Sequence, residues 1–236
     1  MAVTGLQAEA KLAAGPQVLV LAGGGDGARL KRDLEAAASG ACAIISFGVA
    51  GGLAPGLAPG ATLVARVIVD EEGERLHSDR SWSRTLASAL GAPLVDLVGV
   101  DAPVVDPAAK RALHARTGAH AVDMESHIAA RVAAALSLPF AAVRVVADPA
   151  ERQLPHAALV AMGPDGAIAF GALTRSLLRN PRQIPDLVRT ARDARAAFAA
   201  LFRGRQLLAG ILGFTDFGEF VLDRPAEDEI GGPLPV

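Results

Sequence analysis

Short apolar segments alternate along this chain with segments whose apolar residues recur at helical spacing. The apolar segments predict buried strands at Val18–Ala22, Ala43–Phe47, Thr62–Val69, Leu94–Val98 and Phe140–Val146, and Ala2–Leu6 could add a first strand. Helices are predicted at Asp26–Ala38, Ser81–Leu90, Pro107–Thr117, Met124–Leu136 and Ile184–Phe202. Such alternation is typical of a largely parallel sheet covered on both faces. We therefore predict an α/β fold, a single domain with a central, mostly parallel or mixed, twisted sheet flanked by helices on both faces.

The predicted domain covers residues 1–205 and includes an extra apolar segment at 153–184. Residues 206–236 are predicted to form a C-terminal extension, whose last part is acidic, rich in glycine and proline, and typical of a loose end.

Charge and cysteine content exclude several classes of function. The 236 residues carry 23 Lys and Arg against 25 Asp and Glu, so the basic excess expected of a nucleic-acid-binding protein is missing. The one cysteine, Cys42, rules out a disulfide framework or a cysteine-based metal site. The five histidines lack ligand spacing, so we expect no metal site, and no cofactor is predicted. The chain shows no signal-peptide pattern, and it has no long apolar stretch free of glycine that could span a membrane. We therefore expect a cytoplasmic protein.

Two glycine-rich runs follow predicted strands. Residues 23–28, GGGDGA, satisfy a dinucleotide-binding fingerprint, but the next predicted strand ends in Ser46 and Phe47 rather than in the acidic residue that holds a ribose. A generic strand-to-helix turn is therefore favoured for them, and dinucleotide binding stays as the alternative. The second run, Ser46–Leu53, has three glycines in five positions and would let the backbone approach a ligand closely. A loop at a barrel corner would have the same composition.

Two acidic motifs are separated by one predicted helix and one predicted strand, with Glu125 and Asp148 23 positions apart. Both motifs are therefore expected at the same edge of the sheet. They are VDMES, which contains Asp123 and Glu125, and VRVVADP, which contains Asp148. Two carboxylates in one pocket can divide the work, one holding substrate hydroxyls and the other carrying a proton. In the alternative interpretation, Asp123 and Glu125 only stabilise the start of a helix, and Asp148 only caps a turn before Pro149.

The segments FGVAGGLAPGLAPGATLVA and VDMESHIAARVAAALSLPFAAVRVVADPA resemble the purine and uridine phosphorylase superfamily. Within it they are most similar to the branch of methylthioadenosine/S-adenosylhomocysteine nucleosidase and to hopanoid-associated phosphorylase. The resemblance runs from about Val3 to Pro149 and, more weakly, to near Phe202. It implies cleavage of the N-glycosidic bond of an adenosine with a bulky 5′ substituent, expected to be adenosylhopane, with release of adenine. A methylthioadenosine/S-adenosylhomocysteine nucleosidase and a non-catalytic purine-binding relative are the alternatives.

The resemblance also implies roles for single residues. Asp148 would be the general acid that protonates the purine, Glu125 would accept hydrogen bonds from the ribose hydroxyls, and Glu9 would activate water. Arg144 would lie beside that water. The other expected substrate-binding residues are Met124 on the sugar face, Val104 at the adenine edge, Pro103 in place of a stacking aromatic ring, and Phe47, Gly48, Val49 and Gly51.

The nucleophile and the partners are also predicted. Where the superfamily holds phosphate with arginines, this chain has Ser46 and the region of Glu9, so water is favoured over phosphate. Arg29 and Arg32 are the basic residues nearby. A homo-oligomer is implied by the resemblance. We also predict an apolar channel from residues 154–184 and peripheral contact of residues 207–214, with Arg203 and Arg205, with an anionic membrane surface.

Overall fold

A computed structural model of the protein describes residues 1–155, 175–176, 180, 183–208 and 212. The strands are β1 (Ala2–Thr4), β2 (Val20–Ala22), β3 (Ile44–Gly52), β4 (Thr62–Val69), β5 (Arg75–His77), β6 (Leu94–Gly99), β7 (Ala121–Asp123) and β8 (Phe140–Asp148). The helices are α1 (Gln7–Ala13), α2 (Gly27–Ala37), α3 (Arg80–Leu90), α4 (Pro107–Thr117), α5 (Ser126–Ala135) and α6 (Ile184–Leu207).

The eight strands form one mixed sheet. Five pairings are parallel, namely β1 with β2 and β3, β3 with β8, and β6 with β4 and β7. Three are antiparallel, β3 with β7 and β4 with β5 and β8. The pairs β3–β8, β8–β4, β4–β6, β6–β7 and β7–β3 close a ring of five strands. The predicted mostly parallel or mixed sheet is thereby confirmed.

Alternate residues of the strands face two separate hydrophobic clusters, one on each side of the sheet. In β3, Ile44 packs with α2 and α5 in one cluster, whereas Ile45 packs with α1, α3 and α6 in the other. The same alternation separates Leu63 from Val64 in β4. Both faces of the sheet are therefore covered by helices, as the sequence predicts.

Helix α4, which carries a residue of the site described below, has clear start and stop signals. The carboxylate of Asp106 accepts a hydrogen bond from the backbone N–H of Ala109 at 3.0 Å, and Pro107 occupies the first turn. Gly118 ends the helix with a φ of 69°, in the left-handed region that favours glycine.

Three differences from the predicted elements bear on the site. Strand β3 continues to Gly52, so the second glycine-rich run is strand and not loop. Strand β8 likewise continues as far as Asp148. The strands β5 and β7 have three residues each and were not predicted, because so short a segment shows no periodicity.

The C-terminal part can be compared with the predictions only in places. Most of the apolar segment 153–184 and most of 207–214 lie outside the described residues. Helix α6 continues to Leu207, past the predicted domain boundary at 205. Leu208 and Leu212 are buried in the cluster with α1, α3 and α6, so these two residues belong to the core and not to a membrane-facing surface. Within the described residues, no helix has the length and apolar character to cross a membrane.

Candidate active site

Glu9 is a buried carboxylate whose two oxygens are held by backbone N–H groups. It lies in the first turn of α1, and its Oε2 accepts hydrogen bonds from the N–H groups of Gly5 at 2.8 Å and Leu6 at 2.7 Å. Its Oε1 accepts a third from the N–H of Val49 in β3 at 2.7 Å. The carboxylate therefore joins the end of β1 to β3 and has a fixed position.

Arg144 of β8 is fully buried and connects the acidic residues of the site. Its Nη2 donates hydrogen bonds to Ser46 Oγ at 2.6 Å and Asp123 Oδ1 at 2.8 Å, and it lies 3.4 Å from Glu125 Oε2. Ser126 Oγ accepts from the same nitrogen at 3.1 Å. One guanidinium thus holds two carboxylates and two hydroxyls from three different elements.

The start of α5 depends on Asp123, whose Oδ1 also accepts hydrogen bonds from the backbone N–H groups of Glu125 at 2.9 Å and Ser126 at 2.7 Å. The alternative interpretation of Asp123 as a helix-start residue is therefore correct for that residue. Because Asp123 performs this task, the side chain of Glu125 is free to point elsewhere, and it makes no capping bond.

Burial raises the pKa values of two carboxylates in this cluster, Glu125 and Glu9. The pKa of Glu125 rises to about 8, since burial and the charges of Asp123 and Glu9 outweigh the opposing effect of Arg144. Burial also raises the pKa of Glu9, against the effects of Arg144 and three backbone N–H groups. Three carboxylates share one guanidinium, so the cluster tends to retain a proton near neutral pH and favours a positive charge placed beside it.

Asp148, the last residue of β8, lies beside a different cation. Its Oδ2 accepts a hydrogen bond from Nζ of Lys110 on α4, and the Lys110 side chain has no exposed surface. Burial raises the pKa of Asp148, while the charges of Lys110 and Arg152 oppose that rise. A carboxyl group whose pKa is raised in this way is suited to donating a proton.

Gly5, directly after β1, and glycines of β3 allow these groups to come close to the backbone. A Cβ atom on Gly48 would lie 2.6 Å from Arg144 Nη1 and 2.8 Å from Glu9 Oε1, and one on Gly5 would lie 2.7 Å from Glu125 Oε1. Farther along β3, Gly51 pairs with both Asp148 and Val122, and its Cβ would lie 3.4 Å from both Asp148 carboxylate oxygens. The glycine strand is therefore the floor of the site.

Glu9 and Arg144 lie against Gly48, whereas Asp148 lies against Gly51. These two groups are therefore three residues apart along β3. At a rise of about 3.3 Å per residue, that separation is about 10 Å. The register of β3 with β8 shifts between Ala50 and Gly51, so Asp148 lies apart from the buried network of Glu9, Glu125 and Arg144.

A cavity of about 410 Å³ adjoins Glu125 between the first glycine-rich run and α5. Glu125, Met124 and His127 line one side of it, and residues 23–28 contribute much of the other. The Cβ of an alanine at Gly23 would lie 3.4 Å from Glu125 Cγ, so this run packs directly against the site.

The remaining sequence-predicted binding residues differ in their surroundings and in their exposure. Met124 and Val104 are both partly buried against one small cluster near β6 and β7, and Pro103, next to Val104, is exposed. The backbone of Val49 contacts Glu9 and Arg144. Phe47, also in β3, differs because its side chain is fully buried in the cluster with α1, α3 and α6. Only its backbone is therefore available to the site.

Sequence reasoning missed Lys110. A lysine in an amphipathic helix is expected on the solvent side, yet the buried positions of α4 are Lys110 and Leu113. Two features of the sequence could have pointed to it. The chain has three lysines among 23 basic residues, and this one lies three residues before a leucine, on the same helix face.

In the described part of the chain, no group of three or more histidine, cysteine or acidic side chains has an arrangement that could hold a metal ion. The acidic cluster around Arg144 is already neutralised in part by the guanidinium.

Several solved structures share the fold. The 5′-methylthioadenosine/S-adenosylhomocysteine nucleosidase of Helicobacter pylori is 14% identical with a TM-score of 0.60, covering 89% of this chain and 96% of that chain. The corresponding enzyme of S. pneumoniae is 17% identical, with the same TM-score and coverage. Futalosine hydrolase of H. pylori is 14% identical with a TM-score of 0.56, covering 75% of this chain and 96% of that chain. At these identities the likeness establishes the α/β fold.

Among curated proteins, no sequence matches this chain. A family model described as the phosphorylase superfamily does match it, over residues 8–179. The matched region contains Glu9, Arg144 and both acidic motifs, and it exceeds half of the chain. The chain therefore belongs to the phosphorylase superfamily.

Proposed function

We propose that this protein hydrolyses the N-glycosidic bond of an adenosine that carries a bulky 5′ substituent and releases adenine. The expected substrate is adenosylhopane, with ribosylhopane as the product. The observation that carries the proposal is the cluster of three buried carboxylates, Glu9, Asp123 and Glu125, around the one guanidinium of Arg144. The superfamily match confirms the coarser prediction, an enzyme that cleaves N-glycosidic bonds.

The base end of the reaction is assigned to Asp148. Cleavage of the bond moves its electron pair onto the departing purine, and a proton delivered to the five-membered ring makes that purine a better leaving group. Burial raises the pKa of Asp148, which makes the carboxyl group better suited to carry and deliver that proton. Among the described residues, Oδ2 bonds to Lys110 and no partner bonds to Oδ1, which leaves Oδ1 to face the base.

The sugar end is assigned to Glu125. As the bond breaks, the ribose carbon and ring oxygen become positively charged, and an anionic cluster beside them lowers the energy of that state. Ribose hydroxyls donating to Glu125 would also replace part of the solvation that burial removes. Because this interaction strengthens as the charge develops, it acts on the chemical step more than on ground-state binding.

Charge also favours water over phosphate as the nucleophile. Glu9 is held by three backbone N–H groups next to Arg144, and this fixed carboxylate is assigned the role of taking a proton from water. A phosphate dianion at the same place would meet three carboxylates and one guanidinium, and like charges repel by several kcal/mol at low effective dielectric constant. Among the described residues, Arg29 forms no ion pair with this cluster, and its Nη2 donates instead to the carbonyl of Gly23 at 2.9 Å.

The bulky 5′ substituent is supported by two features. The sequence resembles hopanoid-associated phosphorylase, and the apolar segment 153–184 could supply a channel for a hydrocarbon. The described cavity beside Glu125 is lined by the first glycine-rich run and by residues of α5. A homo-oligomer, in which a second copy completes the site, belongs to the same proposal.

A 5′-methylthioadenosine/S-adenosylhomocysteine nucleosidase is the second candidate. It is favoured by the similarity of fold to the nucleosidases of that name, at TM-scores of 0.60. A purine-binding protein without catalysis is disfavoured, because binding alone does not require a carboxyl group with a raised pKa at position 148.

Measurement of adenine release from adenosylhopane, methylthioadenosine, S-adenosylhomocysteine and adenosine tests the proposal. We expect release from all adenosines with a 5′ substituent and the highest kcat/KM with adenosylhopane. Equal or higher kcat/KM with methylthioadenosine would favour the second candidate. Binding of adenine without release from any nucleoside would contradict both.

A further inference from the structure

Lys110 is one of the largest fully buried side chains of the protein, and its charged end lies against the proposed acid. Its Nζ donates hydrogen bonds to Asp148 Oδ2, to the carbonyl of Pro149 at 3.0 Å and to the carbonyl of Arg152 at 3.3 Å. A lysine ammonium has three hydrogens to donate. All three therefore have acceptors, and none remains for a substrate.

The three acceptors belong to one stretch of chain, residues 148–152, which begins at the last residue of β8. Other contacts tie the same stretch to its surroundings. The Arg152 side chain forms an ion pair with Asp193 of α6, and Glu151 Oε1 accepts from the N–H of Gly56 at 3.2 Å. The N–H of Leu154 donates to the carbonyl of Val105, just before α4. Lys110 thus joins the proposed acid to the helix that follows the proposed base-binding residues.

Burying a lysine is costly unless it has a specific partner, because its charge loses the solvation of water. A leucine or methionine at this position of α4 would pack beside Leu113 without that cost. The presence of a buried charge next to Asp148 therefore calls for a reason beyond packing.

We propose that Lys110 is a positioning residue that fixes the Asp148 carboxyl group and stabilises the carboxylate that remains after Asp148 transfers its proton to the purine. This inference rests on the proposed function. In the step, the O–H bond of Asp148 breaks, an N–H bond forms on the purine ring, and the electron pair of the glycosidic bond moves to the base. The negative charge left on Asp148 lies directly against Lys110. Arg152 is the other nearby cation, and its side chain is already paired with Asp193.

The test compares Lys110→Met with Asp148→Asn, with the double variant and with Lys11→Met, which removes an exposed lysine of α1. In Lys110→Met we expect kcat to fall roughly tenfold to a hundredfold at neutral pH, because a weaker acid transfers its proton less readily. The alkaline limb of the kcat/KM profile should move up by about 1–3 pH units, the usual effect of a neighbouring cation on a carboxyl group. In the double variant, kcat should equal that of Asp148→Asn alone. Lys11→Met should change none of these.

An unchanged alkaline limb, or a further loss of kcat on adding Lys110→Met to Asp148→Asn, would overturn the proposal, because Lys110 would then act independently of the acid. A second measurement does not depend on turnover. We would measure urea unfolding of the wild type, Lys110→Met, Asp148→Asn and the double variant. The double variant should be destabilised by less than the sum of the two single variants. Strict additivity would overturn the pairing, even if the protein cleaved no nucleoside at all. Absence of cleavage by the wild type, together with non-additive unfolding, would reject the proposed function and retain the Lys110–Asp148 pair.

Discussion

Asp148→Asn keeps the size of the side chain at position 148 and removes its ionisable proton. If Asp148 protonates the departing purine, kcat should fall by about 10²–10⁴. The fold should persist, because the amide oxygen can still accept the hydrogen bond from Lys110. Adenine release and thermal unfolding measured on the same preparation check this. A variant that does not fold would instead support the interpretation of Asp148 as a turn cap.

Glu125→Gln separates catalysis from binding. The amide can still accept hydrogen bonds from ribose hydroxyls, but unlike the carboxyl group it cannot lose a proton and become anionic as the sugar becomes cationic. We expect a large fall in the single-turnover rate and only a small rise in the substrate dissociation constant. A weaker affinity with an unchanged single-turnover rate would count against a transition-state role.

The raised pKa of Glu125 predicts how stability depends on pH. Between about pH 4.5 and about pH 8 the folded protein keeps a proton that the unfolded chain releases, so the free energy of unfolding falls as pH rises. The slope contributed by this group is at most about 1.4 kcal/mol per pH unit. Burial raises the pKa values of Glu9 and Asp148 too, so their slopes have the same sign.

Urea unfolding at about pH 5 and at about pH 8, near the two ends of that pH window, measures this slope. Glu125→Gln should flatten it, whereas Glu35→Gln, which changes an exposed carboxylate of α2, should leave it unchanged. A slope that is the same in the wild type and in Glu125→Gln would mean that Glu125 is ionised in the folded protein across this range.

At the residue level, the sequence pointed to part of the site. The positions of Glu9, Glu125, Asp148 and Arg144 were expected from the resemblance, and the structure places the first, second and fourth in one buried network. Lys110 was not expected, because a charge on a helix is normally solvated and its partner lies 38 positions away in sequence. Such a pair becomes visible only when α4 is placed against β8.

Gly48 tests whether β3 is the floor of the site. A Cβ there would lie 2.6 Å from Arg144 Nη1 and 2.8 Å from Glu9 Oε1, atoms that are fixed by other hydrogen bonds. Gly48→Ala should therefore destabilise the protein by about 1–3 kcal/mol and lower kcat/KM strongly. The matched control is Gly40→Ala, where a Cβ meets nothing within 4 Å. Equal behaviour of the two variants in unfolding and activity would refute this role of β3.

At the level of elements, long segments with clear periodicity were predicted well, and α4 has the predicted bounds. The glycine run of β3 was harder, since glycine has a low preference for strands and also suits a loop. It is strand here because it pairs with β8 and, at its end, with β7. Glycine at 48 and 51 leaves room for side chains that are distant in sequence. Strand β7 was missed because its three residues lie between two helices and have no pattern of their own.

For the whole molecule, a lipid-linked substrate requires access to a membrane surface. Phe202 and Leu207 on α6 are exposed and lie near the exposed Arg203. We expect weak cosedimentation with phosphatidylglycerol vesicles that is lost at high salt, since a basic residue near an anionic surface contributes about 1 kcal/mol. Arg203→Glu should reduce the bound fraction. Binding that is equal with neutral vesicles, or none with either, would contradict peripheral contact.

If the proposed function is correct, this carboxylate-rich site directs water to the sugar of an adenine nucleoside. The most direct measurement is the mass of the sugar product formed from an adenosine substrate with and without inorganic phosphate. We predict adenine and the free sugar in equal amounts, at a rate that does not depend on phosphate. A sugar 1-phosphate that forms only when phosphate is present, with no cleavage in its absence, would contradict the account.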